Sequence, residues 1–245
     1  MFRHKGKSRS LKQNLGIASL LSFVAGIVNV TGFLAVKQLT TNVTGHFAYM
    51  VEEATKINFN QTLFYLLYIL FFLAGAFFSN LLIEFTSKFS DRFIFIIPVL
   101  TEALLITIIA FLDFNYIIQN PNIIACTLLF AMGLQNSLVT TISNAIVRTT
   151  HLTGLFTDLG IELSQLFFFK SREQHQKLIS SIKLRLTIIT AFFVGGIIAG
   201  TIFSEWKMKT LLVGTFVLLT GLSIDYITVQ KRLKLIKQKK INTVQ

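Results

Sequence analysis

The stretch that decides the fold is Arg-Thr-Thr-His-Leu-Thr-Gly-Leu-Phe at residues 148–156, a short polar segment between two long apolar runs. A near-copy, Thr-Thr-Asn-Val-Thr-Gly-His-Phe, occupies residues 40–47. Both copies contain Thr-Thr, two further residues, Thr-Gly, one residue and Phe, and the two Thr-Gly pairs lie 109 positions apart. A polar element that occurs twice in this way predicts a chain built from two similar halves.

The sequence around the two copies also repeats. Gly26-Ile-Val-Asn29 matches Gly133-Leu-Gln-Asn136, 107 positions later, and Phe-Phe-Leu-Ala-Gly at 71–75 matches Phe-Phe-Val-Gly-Gly at 192–196, 121 positions later. Loops tolerate insertions, so the offset can change between elements. The match predicts two three-span units with a basic tail at each end of the chain. The bounds of these segments, in order, are 1–14, 15–112, 123–229 and 230–245.

Composition indicates a membrane protein. The chain is 53% hydrophobic and only 14% charged, with a mean hydropathy of +0.66, whereas a soluble domain has roughly 25% charged residues. Runs of about 20 apolar residues are long enough to cross a hydrocarbon core of roughly 30 Å. We therefore expect an all-α, polytopic membrane bundle of six transmembrane helices, with an extra short helix after the first span of each unit. The expected spans are Leu15–Val36, Thr62–Ile83, Phe93–Leu112, Ile123–Ile142, Leu184–Phe203 and Thr210–Thr228.

The net charge of +12 is better explained by membrane topology than by nucleic-acid binding. The basic residues lie in the tails and in loops between spans, without interleaved aromatic residues. With the N-terminus inside, 19 Lys and Arg fall on the cytoplasmic side and four on the outer side, a strong positive-inside signal. Both termini are therefore predicted to be cytoplasmic. The single cysteine, Cys126, excludes an internal disulfide.

An odd number of spans per unit means that the second unit enters the membrane from the opposite face. The first Thr-Gly copy is then expected at the outer side and the second at the inner side. Inverted repeats are typical of secondary transporters, whose binding sites lie where the repeats meet. Inverted duplication also occurs in channels and other membrane folds, so this likeness is an analogy of architecture.

The paired motifs resemble those of the YoaK-like proteins, bacterial six-span inner-membrane proteins grouped as a domain of unknown function. The resemblance extends over nearly the whole chain and implies six spans, multi-pass, in a bacterial cytoplasmic membrane. It implies no particular reaction. Two positions depart from the family pattern. The family often has an acidic residue at the position of Asn29, and it often has Asn at the position of His46. If an acid at the first position transfers protons in the family, Asn29 cannot do so here.

The Thr-Gly copies suggest anion-binding helix starts. Thr44 and Thr153 each precede a Gly and an apolar helical pattern, so either can cap a helix whose free N–H groups form a positive end. Such an end can hold an anion or a carboxylate, and Arg148 can supplement the second copy. Plain helix capping remains an equal alternative.

Other polar residues leave alternatives open. Glu102 lies deep in the third span and should be paired or protonated, which suits either proton coupling or a neutral carboxyl bonded to a neighbouring helix. Asp158 and Glu162 share a helix face, and solvation explains them as well as ion binding does. His46 and His151 do not occupy equivalent positions and have no recognised ligand spacing, so no metal site is expected. No catalytic or cofactor motif is present.

We therefore expect a small-solute or ion transporter that is not an enzyme and uses no cofactor. The alternative is a non-transporting membrane scaffold or assembly partner. The expected partners are the lipid bilayer and a small-molecule or ion substrate, with no nucleic acid, and a homo-oligomer is left open. The candidate substrate-binding residues are Asn29, Thr41, Thr44, Gly45, His46, Glu102, Asn136, Arg148, Thr150, Thr153, Gly154 and Asp158.

Overall fold

The computed structural model describes residues 9–89, 94–168 and 171–242, and every regular element within these ranges is helical. The predicted all-helical fold is thus confirmed for the described residues. The ends of the basic tails and the loop cations Arg92 and Lys170 lie outside them. The α-helices are α1 Leu11–Val36, α2 Val43–Thr55, α3 Phe59–Ser87, α4 Ile96–Ala110, α5 Phe114–Gln119, α6 Pro121–Ser143, α7 Leu152–Gln165, α8 Arg172–Trp206 and α9 Leu211–Asn242. A 3₁₀ turn, Lys207–Thr210, joins the last two.

Four stretches of the described chain are long and apolar enough to cross a membrane. They are α1, α3, α6 and the region Arg172–Thr228, which contains α8, the 3₁₀ turn and most of the apolar part of α9. Helix α4 is apolar but has 15 residues, a length of about 22 Å at roughly 1.5 Å per residue. The short helices α2 and α7 follow α1 and α6, where short extra helices were expected. The chain is an integral membrane protein.

The outer surface of the bundle is apolar, whereas its interior contains polar groups. Phe77, Leu104, Phe193 and Phe216 are each at least 60% exposed. Glu102 is fully buried, as are several Ser, Thr and Gln side chains. Lipid tails solvate exposed apolar side chains well, while polar and ionisable side chains are expensive in hydrocarbon and turn inward. This distribution is the one expected when the solvent is a bilayer.

Helix α1 packs on α8 through backbone contacts at glycine. A Cβ atom at Gly26 of α1 would overlap the carbonyl oxygen of Phe192 in α8. A Cβ atom at Gly195 of α8 would likewise overlap the carbonyl oxygen of Phe23. Because any larger residue would separate the two backbones, these positions require glycine.

Helices α3 and α6 repeat this contact. Gly133 of α6 lies against the Phe72 carbonyl, and Gly75 of α3 lies against the Phe130 carbonyl. Gly133 of α6 follows Gly26 of α1 by 107 residues, and Gly195 of α8 follows Gly75 of α3 by 120 residues. The sequence match at an offset of 121, which paired Gly75 with Gly196, is therefore wrong by one residue. The close backbone contact sets the register, and the Phe-Phe doublets do not.

The other helix contacts follow the same pattern. Helix α2 packs on α3 and α7 packs on α8, while α9 packs on α1 and α4 packs on α6. Helices α4 and α9 pack on each other, with the hydroxyl oxygens of Thr107 and Thr215 2.9 Å apart. The α2–α3 contact matches the α7–α8 contact, and the α1–α9 contact matches the α4–α6 contact. The α4–α9 contact joins two helices that match each other.

The chain reverses direction after α1 and again after α6. Each helix ends at a residue in the left-handed conformation, Lys37 with φ 56° and Asn144 with φ 54°, and these positions are again 107 apart. Left-handed residues commonly terminate helices. Here they direct the next segment back along the helix that has just ended. We call residues 37–42 the first threonine turn and residues 144–151 the second.

Candidate functional site

The two threonine turns reach back far along their helices. In the first turn, Thr40 Oγ1 donates to the carbonyl of Val28, eight residues before α1 ends. Thr150 Oγ1 of the second turn donates to Oδ1 of Asn136, seven residues before α6 ends. At roughly 1.5 Å per residue, each turn therefore descends about 10–12 Å along the helix that precedes it.

Both turns make the same threonine–asparagine hydrogen bond. Thr41 Oγ1 donates to Asn29 Oδ1 at 2.7 Å, and Thr150 Oγ1 donates to Asn136 Oδ1 at 2.9 Å. The two asparagines are 107 positions apart and the two threonines 109. The structure thus brings four of the sequence-predicted residues together as two matching pairs, each formed by a turn and the helix before it.

The second turn has an additional link to the first half of the chain. Gln135 Nε2 donates to the hydroxyl oxygen of buried Thr149 at 3.3 Å and to the carbonyl of Leu21 in α1 at 2.7 Å. The matching position in α1 is Val28, which offers only its backbone carbonyl. Gln135 therefore ties the second turn to α1. The sequence signal for this role was an amide side chain inside an otherwise apolar span.

The predicted threonine caps are wrong. Helix α2 begins at Val43, and its N-cap is Asn42, whose Oδ1 accepts from the N–H of Gly45 at 3.0 Å. Helix α7 begins at Leu152, and its N-cap His151 makes no side-chain cap bond. Thr44 and Thr153 are the exposed second residues of their helices. In α2, Asn is a preferred N-cap residue and its side chain already bonds the third helical N–H, so Thr44 is not needed there.

A polar cavity of about 500 Å³ opens beside the second threonine turn. We call it the Arg148 cavity. Of the sequence-predicted residues, Arg148, Gly154 and Asp158 meet in it. Arg148 is exposed, and its side chain makes no ion pair or hydrogen bond with any described residue. The cavity is lined by Ala145, Ile146, Arg148, His151, Gly154, Leu155, Asp158, Ser181, Leu184 and Arg185.

Arg185 of α8 joins α7 to α8 at the wall of this cavity. Its guanidinium bonds Asp158 at 2.9 Å and holds Glu162 through two bonds of 2.8 and 2.9 Å. Ser181 Oγ also donates to Glu162 at 2.6 Å. The two carboxylates that share a face of α7 therefore share one arginine. Sequence reasoning missed Arg185, although an arginine at the edge of an apolar span, opposite two carboxylates four residues apart, was a usable signal.

Arg148 is the basic side chain of the cavity that is free to bind a ligand. The charge of Arg185 is offset by Asp158 and Glu162, whereas Arg148 faces the open space. The first N–H groups of α7 also lack a side-chain cap, and the His151 ring lies against Gly154 in the first turn of the helix. A guanidinium beside a helix start can bind a small anionic group, such as a carboxylate or phosphate.

The matching place in the first half is filled by aromatic rings. Tyr49 and Tyr65 stack with their centroids 5.4 Å apart, at the positions that correspond to Asp158 and Arg185. His46 is fully buried, with Nε2 2.6 Å from the Leu39 carbonyl. Burial lowers the pKa of His46, while the hydrogen bond to Leu39 opposes this shift. His46 is thus a packing residue beneath α2 and faces no described cavity.

Glu102 lies apart from both turns, in the interior of α4. Its side chain is fully buried, and neither carboxyl oxygen has a hydrogen-bond partner among the described residues. The expectation that a neighbouring helix supplies a bond to a neutral carboxyl is therefore wrong for this structure. Proton coupling is the alternative that remains for this carboxyl group.

Comparison with known proteins gives a family and no function. No curated protein and no solved structure matches the chain. A family described as "Protein of unknown function (DUF1275)" matches residues 17–224, from α1 into α9. That match includes both threonine turns, the Arg148 cavity and Glu102. The chain therefore belongs to the DUF1275 family.

Proposed function

We propose that this protein transports a small solute or ion, with the binding site between the two threonine turns. The observation that supports this most is the matching pair of turns that fold back along α1 and α6, each fixed by a threonine–asparagine bond. Irregular backbone at membrane depth is tolerated where it is buried in protein or lines a cavity. In secondary transporters such segments form the substrate site near the midplane.

The proposed architecture is six spans, α1, α3, α4, α6, α8 and α9, in two inverted three-helix units. The matching glycine contacts, left-handed helix ends and turn hydrogen bonds support it. The resemblance to the YoaK-like proteins suits a bacterial cytoplasmic membrane. Under the positive-inside rule both termini are cytoplasmic. The first turn then faces outward, and the Arg148 cavity opens to the cytoplasm.

The orientation can be tested with reporter fusions. A reporter fused after Gln245 is expected to be active only in the cytoplasm, and one inserted next to Asn120, between α5 and α6, only outside. The reason is the distribution of Lys and Arg, with 19 on the inner side and four on the outer side. The opposite pattern would reverse the assignment of the two turns. Two fusions on the same side would contradict an odd number of spans per unit.

Ligand binding can be tested by thermal unfolding of the purified protein against small anions, zwitterions and cations. At a ligand concentration about 100 times Kd, binding adds about 2.7 kcal/mol and should raise Tm by about 5–10 °C. For an anionic or zwitterionic ligand, Arg148→Ala should remove most of this shift. Arg172→Ala is the control, because Arg172 is exposed and does not line the cavity.

Two outcomes of that screen would contradict the proposal. An equal loss of stabilisation in both arginine variants would indicate a nonspecific charge effect. The absence of any stabilising ligand, together with one stable partner recovered by crosslinking, would favour the scaffold alternative. The proposal assigns no catalytic step to any residue.

A further inference from the structure

Glu102 has the only carboxyl group among the described residues whose two oxygens are both fully buried and without a partner. Half-buried hydroxyls in the same bundle do form bonds, as Thr107 does with Thr215 and Thr150 with Asn136. A buried carboxyl without hydrogen bonds lowers stability, because its lost bonds to water are not replaced. A ligand bound to its two oxygens would remove this cost.

The neighbours of Glu102 follow from the directions of three helices. The end of α4 meets the start of α9 around a shared cavity that includes Asp113 and Lys209, so α4 and α9 are antiparallel. A Cβ atom at Gly214 of α9 would contact Val24 of α1, and one at Gly221 would contact Leu20. Helix α9 therefore also runs antiparallel to α1. It follows that α4 and α1 are parallel.

Ile106 fixes the level of Glu102 in the bundle. The side chains of Ile106 and Val24 each come within 3.6 Å of a Cβ atom built at Gly214. Glu102 precedes Ile106 by one helical turn and lies on the same face. One turn back along α1 and one turn forward along α9 lead to Leu21 and Leu218, both fully buried. Glu102 therefore lies at the level of these two residues.

One further oxygen atom without a partner belongs to this level. Gln135 reaches it directly, because its Nε2 donates to the Leu21 carbonyl at 2.7 Å, while its Oε1 has no partner. Helix α6, which carries Gln135, packs on α4, which carries Glu102. Oxygen atoms are the ligands that hard cations prefer. A single carboxylate among them balances a single positive charge.

We propose that Glu102, with Gln135, forms a binding site for a monovalent cation. The ligand is either a proton on the carboxyl group or a sodium ion shared by the two side chains. The inference rests on the proposed transport function and names its coupling ion. Gln135 supplies the coupling, because the same amide group also donates to Thr149 in the second threonine turn. A cation that reorients Gln135 would change how that turn is held.

Among the side chains that the structure describes on α1, α6 and α9, no other charge lies close enough to substitute for the cation. On these helices, the described ionisable groups are about two turns or more from Leu21, Gln135 and Leu218. Two turns correspond to about 10 Å. The ionisable groups whose side chains are described on the elements packed against α4 are Tyr65, Tyr68 and Glu84 on α3 with Lys88 at its C-cap, Cys126 on α6, Lys207 and Lys209 in the 3₁₀ turn, and Asp225 and Tyr226 on α9.

Infrared difference spectroscopy of the purified protein in lipid nanodiscs tests this site without any substrate. A protonated carboxyl group has a distinct carbonyl band, and Glu102→Gln should remove the band that Glu102 contributes. In the wild type, that band should disappear as the pH rises, on addition of sodium chloride, or both. Loss with pH alone identifies the proton. Loss at constant pH with sodium but not with choline identifies sodium. Glu205→Gln, at an exposed carboxyl, should leave the response unchanged.

A band from Glu102 that responds to neither pH nor sodium would overturn the proposal, as would the absence of any band that depends on Glu102. If Glu102→Gln does not fold, Glu102→Asp retains the carboxyl and should shift the same responsive band, and an unshifted band would count against the site. A protein that transports its ligand while the band stays constant would refute the cation site alone. A responsive band without transport would refute only the transport function.

Discussion

Replacing Gly26 or Gly133 by alanine is expected to prevent normal packing of the bundle and to remove most of the folded protein. Each added Cβ atom would overlap a backbone carbonyl oxygen, of Phe192 or Phe72 respectively, and a backbone atom cannot rotate away as a side chain can. Overpacking of adaptable cores costs about 1–3 kcal/mol, so a clash with fixed backbone should cost at least the upper part of that range. Total stabilities are only about 5–15 kcal/mol.

The yield of monodisperse protein and its thermal unfolding measure this effect. Gly160→Ala is the matched control, because nothing lies within 4 Å of a Cβ atom there, and alanine also favours helix more than glycine does. The two interface variants should be similarly unstable, since their contacts match. Normal stability of both variants would contradict the close α1–α8 and α3–α6 contacts. A large effect in only one would contradict their equivalence.

Replacing Thr41 or Thr150 by valine is expected to leave the fold intact and to weaken ligand binding about tenfold or more. Each change removes the hydroxyl that bonds Asn29 or Asn136. Asn29 and Asn136 are half-buried, so the lost bond should cost about 1.5 kcal/mol, and about 1.4 kcal/mol corresponds to a tenfold change in an equilibrium constant. Each bond fixes a threonine turn on its helix. Without the bond the turn is held less firmly, and a binding site formed there loses its shape.

The shift of Tm with ligand, compared between variants, measures this loss. Thr127→Val is the control for the same substitution, because Thr127 Oγ1 is exposed and bonds only to the Ile123 carbonyl of its own helix. The double variant Thr41→Val/Thr150→Val should bind least. Ligand affinity that stays at the wild-type value in both single variants would move the site away from the threonine turns.

Much of the fold was predictable because glycine, asparagine and threonine patterns repeat along the chain. The repeats of Gly26 and Asn29 at Gly133 and Asn136 matched α1 to α6, and the Thr-Thr pairs matched the two turns. The matching of α3 to α8 was wrong by one residue, because doublets of Phe look alike at either offset. Only the contact between a glycine and a carbonyl oxygen, which no sequence pattern records, distinguishes the two registers.

The candidate site was predicted less well, for two physical reasons. The helix starts fell two residues earlier than expected, so Asn42 and His151 took the cap positions and left Thr44 and Thr153 exposed. The ion pairs of Arg185 with Asp158 and Glu162 form only when α7 packs on α8, so Arg185 was missed although the two carboxylates were recognised. The repeat did single out Asn29, Thr41, Asn136 and Thr150 as candidate residues, and the structure then showed that they pair within each half.

The difference between the two halves was only partly visible in the sequence. Arg148 in the second copy and its absence from the first indicated that any anion prefers the second turn, and the polar cavity opens there. In the first half, the place that matches the Arg148 cavity is filled by Tyr49 and Tyr65. These residues are separated in sequence and meet only when α2 packs on α3. Equivalent positions thus have unlike chemistry, ionic in one half and aromatic in the other.

Flux through the purified protein in liposomes is the most direct test of transport between the two threonine turns. The solute should be one that raises Tm in the binding screen, supplied outside, with its uptake followed over time. We expect saturable uptake with the wild type and with Thr127→Val, and uptake near that of empty liposomes with Thr41→Val/Thr150→Val. A bound ligand that is never taken up by wild-type liposomes would contradict the transport function, and undiminished uptake by the double variant would contradict the site.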